Sequence, residues 1–331
     1  MAEWNENKLE QELETLMEDI PVQEDLEKKI AQSITRRIKR TAGITVIAIL
    51  LAAAVLFLCI SPLMNMMFWD PTDPVEGEQS LVFSVLRDYW EVNAPYVDLV
   101  RLQVEKQGFG CYELAMQVTD HQGSLQIGRG NLWMELNRGK YENIRDAEGY
   151  FVHKMGGRFE ANMDAGRKTE MVQSLLELPV SAIVYLSVSE AQPREVADLR
   201  EETVDLHWLQ VYQPNVEFHG GLSMLVTSAY TENDMRQTLS EAELLQVYCA
   251  NLKNLLDHPK VWAQFNLCNG NMIYTAKSGV LEKTYKDALT LETLTTKNYC
   301  ISGTRDEIIE YLQRTEVTSV WVDEVRMSKW N

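Results

Sequence analysis

Apolar residues recur in short runs along most of the chain, but residues 41–60 (TAGITVIAILLAAAVLFLCI) form one apolar block without a single charge. At ~1.5 Å per residue, a helical block of this length covers the roughly 30 Å hydrocarbon core of a bilayer. A helix also satisfies its own backbone hydrogen bonds, which lipid does not. A long helix of a soluble protein keeps a polar face. This block has none, so it predicts one transmembrane helix. A cleavable signal has an apolar stretch of only ~7–15 residues followed by a small-x-small site. Here the block starts at residue 41 and ends in Leu58-Cys59-Ile60-Ser61-Pro62, with the large Leu58 where lipoprotein cleavage needs a small residue. The expectation is an uncleaved anchor.

Two helical stripes precede the block. Leu9, Leu13, Leu16, Met17 and Ile20 fall at helical spacing. Pro21 then interrupts, and its fixed φ and missing N–H suit the first turn of a new helix. Val22, Leu26, Ile30, Ile34 and Ile38 follow at steps of four, with acids near the start of the stripe and bases near its end. That order complements a helix dipole. A tail of 40 residues buries no core alone, so the stripes need a partner: each other, the membrane surface or another protein. The first stripe is acidic and anionic lipid repels it, which favours a protein. Leu9, Leu13, Leu16, Met17, Ile20, Leu26 and Ile30 are the candidate partner-binding residues.

After the block the pattern changes to short alternating segments. Residues 61–80 are rich in Pro, Asp and Glu and predict a linker. Strands are predicted at 97–106, at 112–118 after the Gly108-Phe109-Gly110 turn, at 124–127 and at 132–136. A glycine-containing stretch at 155–167 marks a boundary. Beyond it come a strong strand at 181–187, a short helix at 194–201, and strands at 204–212 and 222–230. Ser240 with Glu243 forms a capping box that opens a helix over 240–258, with Leu244, Leu245, Tyr248, Leu252, Leu255 and Leu256 on one side. A second box, Thr304 with Glu307, opens a helix flanked by strands at 297–302 and 317–325. The expected fold class is a single transmembrane α-helix plus an extracytoplasmic α+β region, strand-rich in its first part and mixed α+β in its C-terminal domain. The segments are a tail (1–40), span (41–60), linker (61–80), strand-rich module (81–168) and α+β domain (169–331).

Charge sets the orientation. The chain carries 49 acids and 31 bases, a net charge of −18, which argues against direct binding of nucleic acid. Residues 1–27 hold ten acids and one base, whereas Lys28, Lys29, Arg36, Arg37, Lys39 and Arg40 lie in an acid-free stretch just before the apolar block. No Lys or Arg occurs between Ile60 and Arg87. The positive-inside rule then predicts a single-pass cell-membrane protein with a cytoplasmic N-terminus and residues 61–331 outside. Phe68, Trp69, Met64, Met66 and Met67 fall at the outer interface.

No chemistry stands out. His121, His153, His207, His219 and His258 show no metal-ligand spacing, and the tail has neither His nor Cys. Ser223 lacks the trailing glycine of a nucleophile elbow, and Gly128-Arg129-Gly130 lacks the third glycine of a dinucleotide loop. Acidic pairs are too many to single one out, since residues beyond 60 hold 39 acids and 24 bases. His207 and Trp208 fit a structural role in a strand, and His219-Gly220-Gly221 fits a turn. Cys111, Cys249, Cys268 and Cys300 are an even number that permits three pairings in an oxidising space.

The C-terminal stretch KNYCISGTRDEIIEYLQRTEVTSVWVDEVRMSKWN resembles the ending of the sigma factor regulator C-terminal family: a strand, a short helix after a Gly-Thr turn, and a final strand. SAIVYLSVSE with the helix after it resembles the opening of the same domain, so the likeness covers about residues 175–326. The basic stretch at 36–40, the span and the tract to about Leu102 resemble the companion N-terminal family. The resemblance implies a membrane-bound anti-sigma factor of Firmicutes type, without catalytic activity, metal or cofactor. Its tail would hold an extracytoplasmic-function sigma factor, directly or through a second membrane subunit, while the outer domain senses envelope state. A tail of 40 residues is short for wrapping a sigma factor. The alternative is an anchored envelope enzyme or ligand-binding protein whose tail is only a topogenic signal. A third reading, an assembly component pairing with other single-span proteins, puts the weight on the span.

Overall fold

A computed structural model of the chain describes residues 21–74, 80–95, 97–122, 125–146, 159, 165–224, 226–228, 231–233, 235–269 and 272–327. The chain divides into two units, Met1–Met64 and Asn65–Asn331. In the first, helix α1 (Pro21–Val55) passes through one π-helical turn, Leu56–Ile60, into α2 (Ser61–Met67). Pro21 opens α1, where a missing N–H costs nothing. The stretch Asp25–Met67 is one 43-residue helix, long and apolar enough to cross a membrane, and none of its apolar window is buried. Two expectations are corrected. The helix does not end near Arg40, because nothing between Ile38 and Thr41 breaks the hydrogen-bond ladder. The bases of 28–40 therefore sit inside the helix and face no C-terminal dipole. The linker also starts later, since Ser61–Met67 continues the helix past Pro62, whose missing N–H falls just after the π-helical turn.

The second unit begins with α3 (Leu81–Asn93), capped by Ser80, whose hydroxyl accepts from the Phe83 N–H at 3.3 Å. Eleven of its residues are buried. Its polar positions Ser84, Arg87, Asp88 and Glu91 recur at helical spacing, but the face they form is largely buried as well, and the helix was not expected from the sequence. Strands β1 (Val97–Gly108), β2 (Cys111–Gln122), β3 (Leu125–Asn137) and β4 (Lys140–Asp146) follow as an antiparallel meander in the order β1-β2-β3-β4. The segments expected at 124–127 and 132–136 are parts of one strand. A bulge between Val118 and Thr119 lets β2 stay paired past Gly128-Arg129-Gly130. On β2 the alternation is clean, with Tyr112, Leu114, Met116 and Val118 inward and Glu113 and Gln117 exposed.

Helix α4 (Ala165–Leu176) leads into β5 (Ala182–Glu195), α5 (Val196–Arg200), β6 (Asp205–Val211) and β7 (Gly221–Ser223). Short strands β8 (Val226–Ser228) and β9 (Thr231–Asn233) pair with each other, so the strand expected at 222–230 is shared between two sheets. Helices α6 (Glu241–Asp257) and α7 (Pro259–Trp262), strands β10 (Leu267–Asn269) and β11 (Met272–Tyr274), and α8 (Val280–Ala288) come next. The chain closes with β12 (Thr295–Thr304), α9 (Arg305–Arg314) and β13 (Val317–Met327). Both capping boxes form: Ser240 with Glu243, and Thr304 with Glu307. The large sheet has the order β13-β5-β12-β6-β7 with every neighbour antiparallel. Helix α3 packs on β1 of the first sheet, on β7 of the second and on α6. One cluster of buried residues consequently runs from Val82 through both sheets to Val320.

Candidate functional site

Residues Leu9, Leu13, Leu16, Met17 and Ile20 lie outside the described residues. Leu26 and Ile30 project from α1 at 56% and 49% exposure, and Ile34 and Ile38 continue the exposed row. Lys28, Lys29, Arg36, Arg37, Lys39 and Arg40 are exposed on the same helix. Leu26, Ile30, Ile34 and Ile38 thus form a row of exposed large apolar side chains among six bases.

In the second unit the polar chemistry is used internally. The carboxylate of Glu91 on α3 receives the Arg236 guanidinium and the Ser223 N–H at 3.3 Å, while its backbone carbonyl accepts from Trp208 Nε1 at 2.9 Å. Arg200 fixes the backbone of that segment through Leu239 O at 2.6 Å and Arg236 O at 2.8 Å. One turn earlier, Asp88 accepts from Asn254 Nδ2 at 2.7 Å and pairs with Arg87 at 3.2 Å. Burial pushes its carboxyl up to about 6; Arg87 and Asn254 oppose this, and Glu91 adds to it. At the other end of the unit, Tyr299 and Tyr311 join each other and Glu190, and Arg194 links Glu190 at 3.6 Å to Glu202. Of these residues the sequence singled out only Ser223 and Trp208, and neither for these contacts. The one available signal was two acids, Asp88 and Glu91, inside the otherwise apolar run LVFSVLRDYWEV.

The second face of the large sheet holds the groups closest to a catalytic set. His207 Nε2 lies 2.7 Å from Ser302 Oγ, and Ser187 donates to Asp323 at 2.7 Å and lies 3.4 Å from Cys300 Sγ. A nucleophile needs its base and its acid on one line. Here imidazole and carboxylate serve different serines, and both Ser302 and His207 are buried, under 5% exposed. Trp208 stacks against Phe159 on the same face, which accords with a structural part for the His207-Trp208 pair. His219 stacks on Tyr212 at 5.8 Å, and burial depresses its basicity, with Lys297 acting in the same sense. Gly220 lies in the short connection before β7. Gly221 is part of that strand, where a Cβ would come within 1.7 Å of the Trp208 ring.

Among the described residues no three His, Cys, Asp or Glu side chains gather as a metal site. Among the described residues Cys59, Cys111, Cys249 and Cys300 are free thiols. Comparison of the chain with protein-family models, with curated proteins and with solved structures found no match in any of the three.

Proposed function

We propose that this chain is a single-span membrane regulator, with residues 1–40 in the cytoplasm and the α+β unit outside, and that its tail sequesters an extracytoplasmic-function sigma factor. The observation that carries the reading is the 43-residue helix Asp25–Met67, whose apolar window is unburied and whose N-terminal third carries an exposed row, Leu26, Ile30, Ile34 and Ile38, among six bases. The asymmetry of Lys and Arg about the apolar block supports the orientation. The internal use of Glu91, Asp88, His207 and Ser302 supports a signalling rather than a catalytic part for the outer unit. The acids of residues 1–27 would steer the tail toward the basic DNA-binding surface of the sigma factor.

The test is affinity capture of the full-length, detergent-solubilised protein from a membrane fraction, with the wild type beside Leu13→Asp/Leu16→Asp and Ile30→Asp. A sigma factor recovered by the wild type and lost from both variants is the expected result. Equal recovery from all three overturns the docking surface. Recovery of the chain in the soluble fraction without detergent overturns the anchor.

A further inference from the structure

The turn ends of the four-stranded sheet converge on residues 65–70, the last residues of α2 and those just past it. The Gly110 N–H donates to Asn65 Oδ1 at 2.7 Å, Lys106 Nζ pairs with Asp70 at 3.0 Å, and the Trp69 ring meets Tyr141 edge-on at 6.1 Å. The β1–β2 and β3–β4 turns are themselves joined, Arg138 N to Gly110 O at 2.9 Å. Gly139, at φ +80°, leaves room for Trp69, whose Nε1 would lie 3.3 Å from a Cβ there. Two hairpin tips and residues 65–70 thus make one corner of the unit.

The composition of that corner is unlike the rest of the unit. Residues 106–112 and 136–141 carry three bases, Lys106, Arg138 and Lys140, and no acid, and the one acid of residues 65–70, Asp70, is paired with Lys106, which leaves Arg138 and Lys140 as the charges of the tip. Met66 and Met67 are 83% and 74% exposed, and Phe68, Trp69 and Phe109 are half-exposed. Phe109 sits at φ +54° between two glycines, a left-handed conformation costly for a bulky side chain. An aromatic kept at a strained, half-exposed turn tip points to a use outside the fold. The acids of the same sheet form a cross-strand row, Glu105, Glu113, Glu135 and Glu142, set back from the tip. Repulsion from that row confines contact with an anionic surface to the tip itself.

We infer that this corner, built from Met66, Met67, Phe109, Arg138 and Lys140, lies against the phospholipid headgroups beside the span, with the apolar side chains in the interface and the bases on lipid phosphate. The inference rests on the proposed span. Its chemistry is that of interfacial anchors: aromatic and sulfur-bearing side chains at headgroup depth, and Lys or Arg near an anionic surface. The corner would hold the outer unit down on the bilayer, so that a stimulus lifting it changes the strain on α2.

The experiment places the photo-crosslinker p-benzoylphenylalanine at 109, at 140, at 47 within the apolar block and at 321 on β13, one position at a time, in the full-length protein in nanodiscs of phosphatidylethanolamine and phosphatidylglycerol. Lipid adducts at 47, 109 and 140 but not at 321 are expected. Arg138→Glu/Lys140→Glu should lower the yield at 109 about fivefold or more. Adducts at 47 without adducts at 109 and 140 overturn this contact and leave the span standing. Absence of an adduct at 47 overturns the span reading itself. Equal yields at 109 and 321, or an unchanged yield at 109 in the charge-reversed variant, also overturn the contact.

Discussion

The two larger sheets of the second unit solve burial differently. The four-stranded sheet is one-sided, with Leu114, Met116, Met134 and Leu136 in the core and an outer face of Glu105, Glu113, Glu135 and Glu142 in direct cross-strand register. The five-stranded sheet is covered on both faces across its centre. Val184, Leu186 and Val188 join the main core, while Tyr185, Trp208 and Cys300 form a second cluster behind it. A one-sided sheet tolerates almost anything on its wet face. A two-sided sheet has no spare face, and each buried hydroxyl or imidazole on it needs a partner. Helix α3 lies against both and carries its own buried charges, Asp88 and Glu91.

The largest way to break this contrast is Gly221→Ala. The added Cβ would fall 1.7 Å from the Trp208 ring, which is packed on both sides. Denaturant unfolding should show a loss of about 4 kcal/mol or more, the overpacking and strain combined. Next comes Glu91→Ala, which leaves Arg236 charged and mostly buried without its carboxylate. A loss of about 3 kcal/mol is expected by the same measurement, and Glu91→Gln, which keeps an acceptor for Ser223 and Arg236, should lose less.

Asp88→Asn tests the helix between the sheets. The carboxyl titrates at 3.8 when unfolded and at about 6 when folded. The stability it contributes is fully present below the lower value and is lost as pH rises through the upper one. The fall in wild-type stability between pH 4 and pH 7 should shrink by about 2–3 kcal/mol in the variant, since one pKa unit is about 1.4 kcal/mol. An unchanged pH profile would show that Asp88 is not the group responsible. The smallest effect belongs to the wet face: Glu113→Lys, between Glu105 and Glu135, replaces two like-charge pairs by two opposite ones. It should stabilise the protein by about 0.5 kcal/mol, and the gain should shrink in high salt.

The one-sided sheet was largely legible in the sequence because Tyr112, Leu114, Met116 and Val118 alternate with polar residues and Gly108-Phe109-Gly110 marks its first turn. Its fourth strand, Lys140–Asp146, was not, since Lys-Tyr-Glu-Asn-Ile-Arg-Asp carries too few apolar residues to set a period. In the two-sided sheet, 181–187, 204–212, 297–302 and 317–325 could be read as strands, yet which of them pair could not, because continuous apolar runs name no neighbour. Helix α3 was missed although its polar positions Ser84, Arg87, Asp88 and Glu91 recur at helical spacing. Within the candidate site, the exposed row of α1 follows from spacing alone, whereas Glu91 and Arg236 meet across 145 residues of chain.

The sequence by itself determined the apolar block, the asymmetric charge around it, both capping boxes and the closing strand–helix–strand, because each is written in residues within one or two turns of each other. Only the tertiary structure decided that α1 runs unbroken past Arg40, that α3 is the helix shared by the two larger sheets, and that the hairpin tips meet residues 65–70. Those outcomes depend on which distant groups satisfy one another's burial and hydrogen bonds. Glu91 takes Arg236 because both are mostly withdrawn from water, and a linear pattern carries no record of such a meeting.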